Sequence, residues 1–176
     1  MLLKSSVMDY TDFLPASWPE STRLWFYTSD QDLLAERARK IKEAAAVFLQ
    51  GWAAHGAPIQ ATIEILHPCI LVLAVFPGTQ PSGCALDKAS GFIEKLEQEF
   101  NLNLRQRNRM AWIVAEGVWV SEPALLPKEK GPVQGVLNLY ANTVEEFRAK
   151  PFLSASLPWI RRALATEMNL EFKLGV

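Results

Sequence analysis

The pattern of apolar and polar positions predicts strands alternating with amphipathic helices. Arg23 to Thr28 (RLWFYT) is rich in aromatic residues and follows a proline, which is typical of a strand. From Ser29 to Gly56, apolar residues recur at helical spacing, which predicts a long helix with one buried stripe. Ser29 and Asp32 resemble a capping box at its start, and Gly56 is the expected stop.

Four further segments follow the same alternation. Gln60 to Leu66 alternates polar and apolar residues, as in a half-exposed edge strand. Cys69 to Phe76 is apolar at every position, which favours a central strand that is covered on both faces. Asp87 to Phe100 has the spacing of a second amphipathic helix, and Met110 to Ala115 predicts the next strand.

The resulting order, β-α-β-β-α-β, predicts an α+β fold. It is the split pattern of a ferredoxin-like sandwich, in which two helices cover one face of a four-stranded antiparallel sheet. In that fold the first and third strands, Arg23 to Thr28 and Cys69 to Phe76, are central.

The length is that of one domain covering residues 1–176. We expect a lead-in segment at 1–20, the β-α-β-β-α-β core at 21–120 and a C-terminal strand and helical extension at 121–176. In the extension, Val136 to Tyr140 predicts a strand, Thr143 to Glu146 a capping box that opens a short helix, and Ser156 to Trp159 the start of a last helix.

Composition and charge exclude several classes of protein. Hydrophobic residues make up 49% and charged residues 21%, as in ordinary globular proteins. A formal net charge of -1 gives no global positive field, so we expect no nucleic-acid partner. The sequence has neither the apolar core of a signal peptide nor an apolar run near the ~18 residues of a membrane span, so we expect no membrane partner.

The only cysteines are Cys69 and Cys84, and no Cys/His cluster has zinc-site spacing. We therefore expect reduced thiols in a cytoplasmic protein, with no metal and no cofactor.

Cys84 is the candidate nucleophile. It lies in the segment Ser82 to Asp87, where a buried strand gives way to a helix whose first N–H groups favour a thiolate. His55, at the end of the first predicted helix, is the candidate base, and Asp87 is the third candidate catalytic residue. The alternative is a small structural cysteine in a tight turn, with Asp87 as the helix N-cap and His55 as a C-cap.

Arg105, Arg107 and Arg109 are spaced at i, i+2 and i+4. If Leu104 to Ala115 is one continuous strand, all three project from one face and bind a carboxylate or phosphate. A solvated edge strand protected by charge explains the same spacing. The candidate ligand-binding residues are Arg107, Trp52, Glu64, Ser82 and Gly83.

The segment Gly78 to Gly83 invites comparison with the phosphate loop G-x-x-x-x-G-K-[ST], and the comparison fails. Cys84 and Ala85 occupy the positions of the lysine and the hydroxyl residue that contact phosphate and magnesium. The chain is therefore not a P-loop ATPase.

Several short motifs resemble a family of small bacterial proteins that is best represented in Bacteroidetes. They are R-L-W-F-Y-T-S at Arg23 to Ser29, W-A-A-H-G at Trp52 to Gly56, E-I at Glu64-Ile65, S-G-C-A-L-D at Ser82 to Asp87, and Arg107 before an aromatic strand. Family members are often labelled ABC transporter ATPase, although the resemblance implies no established activity. It points to His55, Cys84, Asp87 and Arg107, while Gln106 stands where the family carries an acidic residue.

Three functional hypotheses follow. The leading one is a ligand-binding or interaction domain with a pocket near His55 and the Ser82 to Asp87 turn, whose partner is a small molecule or a protein. The alternative is a thiol-dependent enzyme in which Cys84 attacks, His55 is the base and Arg107 binds an anion. The third is a homo-oligomer whose interface is an edge strand or the C-terminal helices.

Overall fold

The computed structural model describes residues 13–114, 117–122, 133–154, 157, 158 and 160. It contains helices and antiparallel sheets, so the chain is an α+β protein. The helices are α1 (Ala35–Gln50), α2 (Gly83–Phe100) and α3 (Val144–Ala149). The strands are β1 (Arg23–Thr28), β2 (Ala53–Ala54), β3 (Ala57–Pro58), β4 (Ala61–His67), β5 (Ile70–Val75), β6 (Met110–Val114), β7 (Gly117–Ser121) and β8 (Gly135–Val136). Over these ranges, no helix is both long and apolar enough to cross a membrane.

The first sheet has the antiparallel order β1-β5-β4. The segment predicted as an edge strand is β4, and the fully apolar segment is the central strand β5, so both predictions are confirmed. Side chains of β5 alternate between two clusters: Leu71 and Leu73 contribute to one, and Ile70 and Val72 to the other. Because both faces of β5 are covered, every position in it is apolar.

The molecule has three layers. Helices α1 and α2 cover one face of the first sheet, where Ile41, Ile93 and Leu96 are almost fully buried. A second sheet of order β7-β6-β8, together with α3, covers the other face through Ile113 and Phe147. The first sheet is therefore buried on both sides, which explains its high content of apolar residues.

The predicted order of elements is present, and β1-β5-β4 is the order of the first three strands of a ferredoxin-like sheet. However, β6 pairs with β7 and β8 and not with β1. Strand β7 was not predicted, and hairpin pairing between consecutive strands forms more readily than pairing with a distant strand. In the described part of the chain β1 is therefore an edge strand, and the prediction that it is central is not confirmed. On its outer side, Arg23 forms an isolated β-bridge with Thr143.

Helix α1 begins at Ala35, and the predicted start at Ser29 is wrong. The Ser29 hydroxyl accepts a hydrogen bond from the Gln31 N–H (3.1 Å) and donates to its carbonyl (2.6 Å), so it closes a local turn. The residues that follow are not helical, and the backbone of Leu34, the N-cap residue, is extended. Buried Leu33 fixes this stretch because its N–H donates to the Pro68 carbonyl at 2.6 Å.

The predicted stop of this helix at Gly56 is also wrong, because α1 ends at Gln50 with Gly51 as its C-cap. His55 and Gly56 instead form the turn between β2 and β3, with φ values of 50° and 81°. Positive φ at two consecutive residues is what a two-residue hairpin turn requires.

The described part of the expected lead-in belongs to the core. Leu14 and Trp18 are buried against the second sheet layer. Arg148 of α3 donates to the carbonyls of Pro15 (3.0 Å) and Trp18 (3.5 Å) and forms an ion pair with Glu20. Residues 1–12 lie outside the described residues.

The C-terminal extension matches the prediction in part. Within the described residues 133–154, Gly135–Val136 is the only strand, so the predicted strand from Val136 to Tyr140 is largely wrong. Thr143 does cap α3, because its hydroxyl accepts a hydrogen bond from the Glu146 N–H at 3.1 Å. The start of the last predicted helix includes residues 155, 156 and 159, which lie outside the described residues.

Candidate functional site

The start of α2 is fixed by groups that had been candidates for ligand binding. The Ser82 hydroxyl accepts a hydrogen bond from the Ala85 N–H (3.3 Å), so Ser82 is the N-cap and the helix begins at Gly83. The interpretation of Asp87 as the N-cap of this helix is therefore wrong. Trp52 is only 2% exposed, and its indole N–H donates to the Ala85 carbonyl at 2.8 Å. Both side chains are thus used to hold the fold.

Cys84 and His55, the candidate nucleophile and base, are both exposed. Cys84 lies in the first turn of α2, and His55 lies in the β2–β3 turn. Neither side chain forms a hydrogen bond or ion pair with any residue in the described ranges. The structure therefore shows no Cys–His contact, and the proposed pairing of these residues stays a prediction.

Glu64 lies on β4, at the edge of the first sheet opposite β1. Its carboxylate accepts a hydrogen bond from the Thr62 hydroxyl (2.9 Å) and forms an ion pair with Lys42 of α1 (3.4 Å). Glu64 therefore links an edge strand to the helix layer.

The second cysteine is held as a neutral thiol. Cys69 is half-buried, and its thiol donates to a carboxylate oxygen of Asp32 at 3.3 Å. Burial, together with this hydrogen bond and the Asp32 charge, raises the pKa of Cys69 to about 12. Beside it, burial lowers the pKa of His67 against the opposing effect of Asp32, and its Nδ1 accepts a hydrogen bond from the Cys69 N–H.

A cleft of about 560 Å³ lies along the outer edge of β1. It is bounded by the first turns of α2, the loop that precedes β6 and the segment 137–142. Two of the residues selected from the sequence, Asp87 and Arg107, line it. The other six do not: Cys84, His55, Ser82, Gly83, Trp52 and Glu64.

The two ends of the cleft carry opposite charges. Strand β5 ends at Val75, which pairs with Arg23 at the start of β1, and helix α2 follows it. The C-terminal end of α2 lies near the other end of β1, because the Gln31 side chain donates a hydrogen bond to the Asn101 carbonyl at 2.8 Å. Thus α2 runs in the same direction as β1, with Asp87 toward the start of the strand. At the other end, the Arg109 guanidinium donates to the Thr28 carbonyl at 3.2 Å.

The loop that carries the arginines is anchored by Glu97 of α2. One carboxylate oxygen of Glu97 accepts the N–H groups of Leu104 (2.7 Å) and Arg105 (2.8 Å), and the other accepts the Arg105 guanidinium (2.6 Å). Burial raises the pKa of Glu97, but these hydrogen bonds outweigh it and hold the pKa below its ordinary value. The loop is therefore fixed by an ionised carboxylate.

The three arginines do line one cleft, but not because they share a strand. The strand begins at Met110, so the prediction of a continuous strand from Leu104 is wrong. Arg105 is committed to Glu97, and Arg109 donates to the Gln106 side chain (2.8 Å) and to backbone carbonyls. Both therefore serve mainly to shape the loop.

Arg107 differs from these two neighbours. It is exposed, and it has no hydrogen bond, ion pair or ring contact within the part of the chain that the structure describes. Tyr27 of β1 lies close to it: burial raises the pKa of the Tyr27 phenol, and the charges of Arg107 and then Arg105 oppose that rise. The Tyr27 hydroxyl also lacks a hydrogen-bond partner among the described residues, so an unpaired guanidinium and an unpaired phenol line the same cleft.

Sequence reasoning missed the contribution of β1 to this cleft. Trp25 and Tyr27 line it together with Tyr140, and their segment had been interpreted only as a core strand. The alternation in RLWFYT does place Trp25 and Tyr27 on one face, but it does not show that this face meets a cleft.

Over the described ranges, no three His, Cys, Asp or Glu side chains cluster as they would around a metal ion. No protein-family model, curated protein or solved structure matches this chain.

Proposed function

We propose that this protein binds a ligand bearing a carboxylate or phosphate group in the cleft beside β1, with Arg107 as the anion contact. The observation behind this proposal is the unpaired guanidinium of Arg107. Each of the other arginines in the described ranges has a partner: Arg23, Arg37, Arg39, Arg105, Arg109 and Arg148. A guanidinium has the geometry to bind a carboxylate or phosphate through two parallel hydrogen bonds.

The rest of the cleft has the composition of a ligand site. Trp25, Tyr27 and Tyr140 offer aromatic surface, while the Ser90 hydroxyl offers a polar group. Apolar walls with a few fixed polar groups are typical of small-molecule and peptide sites. Asp87, toward the opposite end from Arg107, favours a ligand with a cation or hydrogen-bond donor there.

We also infer that the fold is a variant of the ferredoxin-like sandwich. The order of the elements and the strand order β1-β5-β4 support this interpretation. In this variant the cleft lies where the fourth strand of the ferredoxin-like sheet would pair with β1. The resemblance to the Bacteroidetes family remains a proposal, and two of the positions it emphasises, Asp87 and Arg107, line the cleft.

The proposal is tested by titrating phosphate and succinate into the ¹⁵N-labelled protein and following amide chemical shifts. We expect shifts at Arg107 and Tyr27, a loss of affinity of about tenfold in Arg107→Gln, and a smaller loss in Arg107→Lys, which keeps the charge without the planar fork. Arg39→Gln is the matched control, because Arg39 is an exposed arginine on α1 paired with Glu43 (2.6 Å). Equal affinity in Arg107→Gln and Arg39→Gln would contradict the proposal.

A thiol-dependent enzyme with Cys84 as nucleophile is the second candidate. It is favoured by the exposure of Cys84 in the first turn of α2, where backbone N–H groups point outward. The test is the rate of Cys84 alkylation against pH, measured in Cys69→Ala. A midpoint well below the value of about 8.5 for a free cysteine would support this function, and a midpoint at or above it would reject it.

A further inference from the structure

The outer edge of β1 is open over its central residues. The Ser29 N–H donates to the Cys69 carbonyl at 2.8 Å, so Ser29 and every second residue before it direct their backbone groups toward β5. Leu24, Phe26 and Thr28 therefore direct theirs outward. The Leu24 N–H, which donates outward to the Asn142 carbonyl at 2.9 Å, agrees with this alternation.

Four outward groups of β1 have no hydrogen-bond partner among the described residues: the Leu24 carbonyl, the Phe26 N–H and carbonyl, and the Thr28 N–H. At one end of this gap the Leu24 N–H is paired with Asn142, and at the other the Thr28 carbonyl is paired with Arg109. The gap spans about 13 Å at the rise of a strand, which is room for about four residues.

These groups form part of the cleft, because every residue of β1 from Leu24 to Thr28 lines it. On the helix side, Leu86 and Ala89 of α2 border the same space as Trp25. On the other side, Leu139 borders it. Side chains of an added strand alternate between two faces, so apolar surface would meet them on both.

We propose that the ligand of this cleft is an extended peptide segment that adds to β1 as a strand, with a carboxylate of the peptide bound by Arg107. This inference rests on the anion-binding function proposed above and specifies its ligand. An extended polypeptide backbone presents donors and acceptors in the alternation left open from Leu24 to Thr28, and strand addition to an exposed sheet edge is an established mode of peptide binding.

The distribution of charged residues along the cleft also favours an extended peptide as the ligand. Arg107 lies toward the Thr28 end of the gap with Arg105 and Arg109, whereas Asp87 lies toward the Leu24 end. An acidic group on the peptide is therefore favoured near Thr28, and a basic or neutral group near Leu24. The carboxylate is supplied by an acidic side chain or by a free C-terminus, and the experiment separates these two sources.

The probes are hexapeptides of alternating valine and threonine. One is capped at both ends and carries a single glutamate, one has glutamine in its place, and one lacks the glutamate but has a free C-terminus. Two further versions of the glutamate peptide are N-methylated, on alternate residues of one edge or of the other. Binding is followed by hydrogen exchange of individual amides by NMR.

With the glutamate peptide at about ten times its Kd, we expect exchange at Phe26 and Thr28 to slow about tenfold. The Trp25 and Tyr27 amides point toward β5, so they serve as internal controls and change little. N-methylation of one peptide edge abolishes the protection, while N-methylation of the other preserves it. Arg107→Gln weakens binding about tenfold, and Arg39→Gln leaves it unchanged.

The outcomes separate the two proposals. If phosphate or succinate binds through Arg107 but no peptide protects Phe26 and Thr28, strand addition is wrong and anion binding stands. If neither anions nor peptides bind in an Arg107-dependent way, both are wrong. Protection of Phe26 that rises with protein concentration in the absence of peptide assigns the edge to a second copy of the chain and overturns the peptide proposal.

Discussion

The start of α2 and the loop before β6 both carry candidate functional residues, but the two regions differ in which of these side chains are hydrogen-bonded within the fold. At the start of α2, the side chains of Ser82 and Trp52 are hydrogen-bonded within the fold, and the Cys84 thiol has no hydrogen-bond partner in the described ranges. The loop backbone is fixed by hydrogen bonds to Glu97 near the end of α2, while the guanidinium of Arg107 has no partner among the described residues and lies beside a cleft. A binding site is thus indicated by an unsatisfied group on a rigid support next to a cavity, and not by residue type alone.

The largest expected effect tests whether Trp52 is structural. Trp52→Ala removes a buried indole that packs on Phe48 at 5.6 Å between ring centroids, and we expect a loss of about 3–5 kcal/mol in the free energy of unfolding. Trp52→Phe keeps most of the packing but loses the hydrogen bond to the Ala85 carbonyl, and should cost about 1 kcal/mol. Urea unfolding measures both. An unchanged free energy of unfolding in both variants would show that Trp52 does not stabilise the fold.

A smaller effect tests the anchor of the arginine loop. Glu97→Ala leaves the Leu104 N–H, in a buried residue, without its acceptor, so we expect a loss of about 2 kcal/mol. Glu99→Ala removes an exposed glutamate from the same helix and should change stability by less than about 0.5 kcal/mol. The difference between the two variants should shrink as the pH falls through the lowered pKa of Glu97, where the carboxylate protonates. Equal stability of the two variants at neutral pH would show that Glu97 does not anchor the loop.

The effect that is smallest at neutral pH concerns the two cysteines. The folded pKa of Cys69, about 12, is above the value of about 8.5 for an unfolded chain. Its contribution to stability is therefore complete below about pH 8.5 and is lost as the pH rises toward 12, because the unfolded thiol ionises first. Cys69→Ala should flatten the decline in unfolding free energy between about pH 8 and about pH 10, whereas Cys84→Ala should retain it. A decline that is flattened in Cys84→Ala but retained in Cys69→Ala would contradict the hydrogen bond from the Cys69 thiol to Asp32.

The sequence pattern predicted the strands well wherever burial is two-sided or strictly alternating. The unbroken apolar run of β5 and the alternation of β4 correctly predicted a central and an edge strand. Pairing of β6 was not predicted, since it depends on β7, and the segment from Gly117 to Ser121 had not been identified as a strand. Because β6 pairs with its neighbour β7, it does not pair with the outer edge of β1.

The candidate site was predicted only in part, and Arg107 was identified for a reason that the structure does not support. Its spacing from Arg105 and Arg109 suggested a shared strand face, whereas a loop fixed by Glu97 places all three along the cleft. The sequence shows which side chains are charged. It does not show which of them find partners, because that depends on contacts between distant segments such as Arg109 with Thr28.

The open edge of β1 is the basis of the strand-addition proposal, and amide hydrogen exchange in the free protein tests it most directly. The Trp25 and Tyr27 amides should exchange slowly, because they point toward β5, while Phe26 and Thr28 should exchange at least about tenfold faster. Slow exchange confined to Trp25 and Tyr27 would support a binding edge beside Arg107. Equal protection at all four amides would mean that the edge is already paired, and would contradict the account.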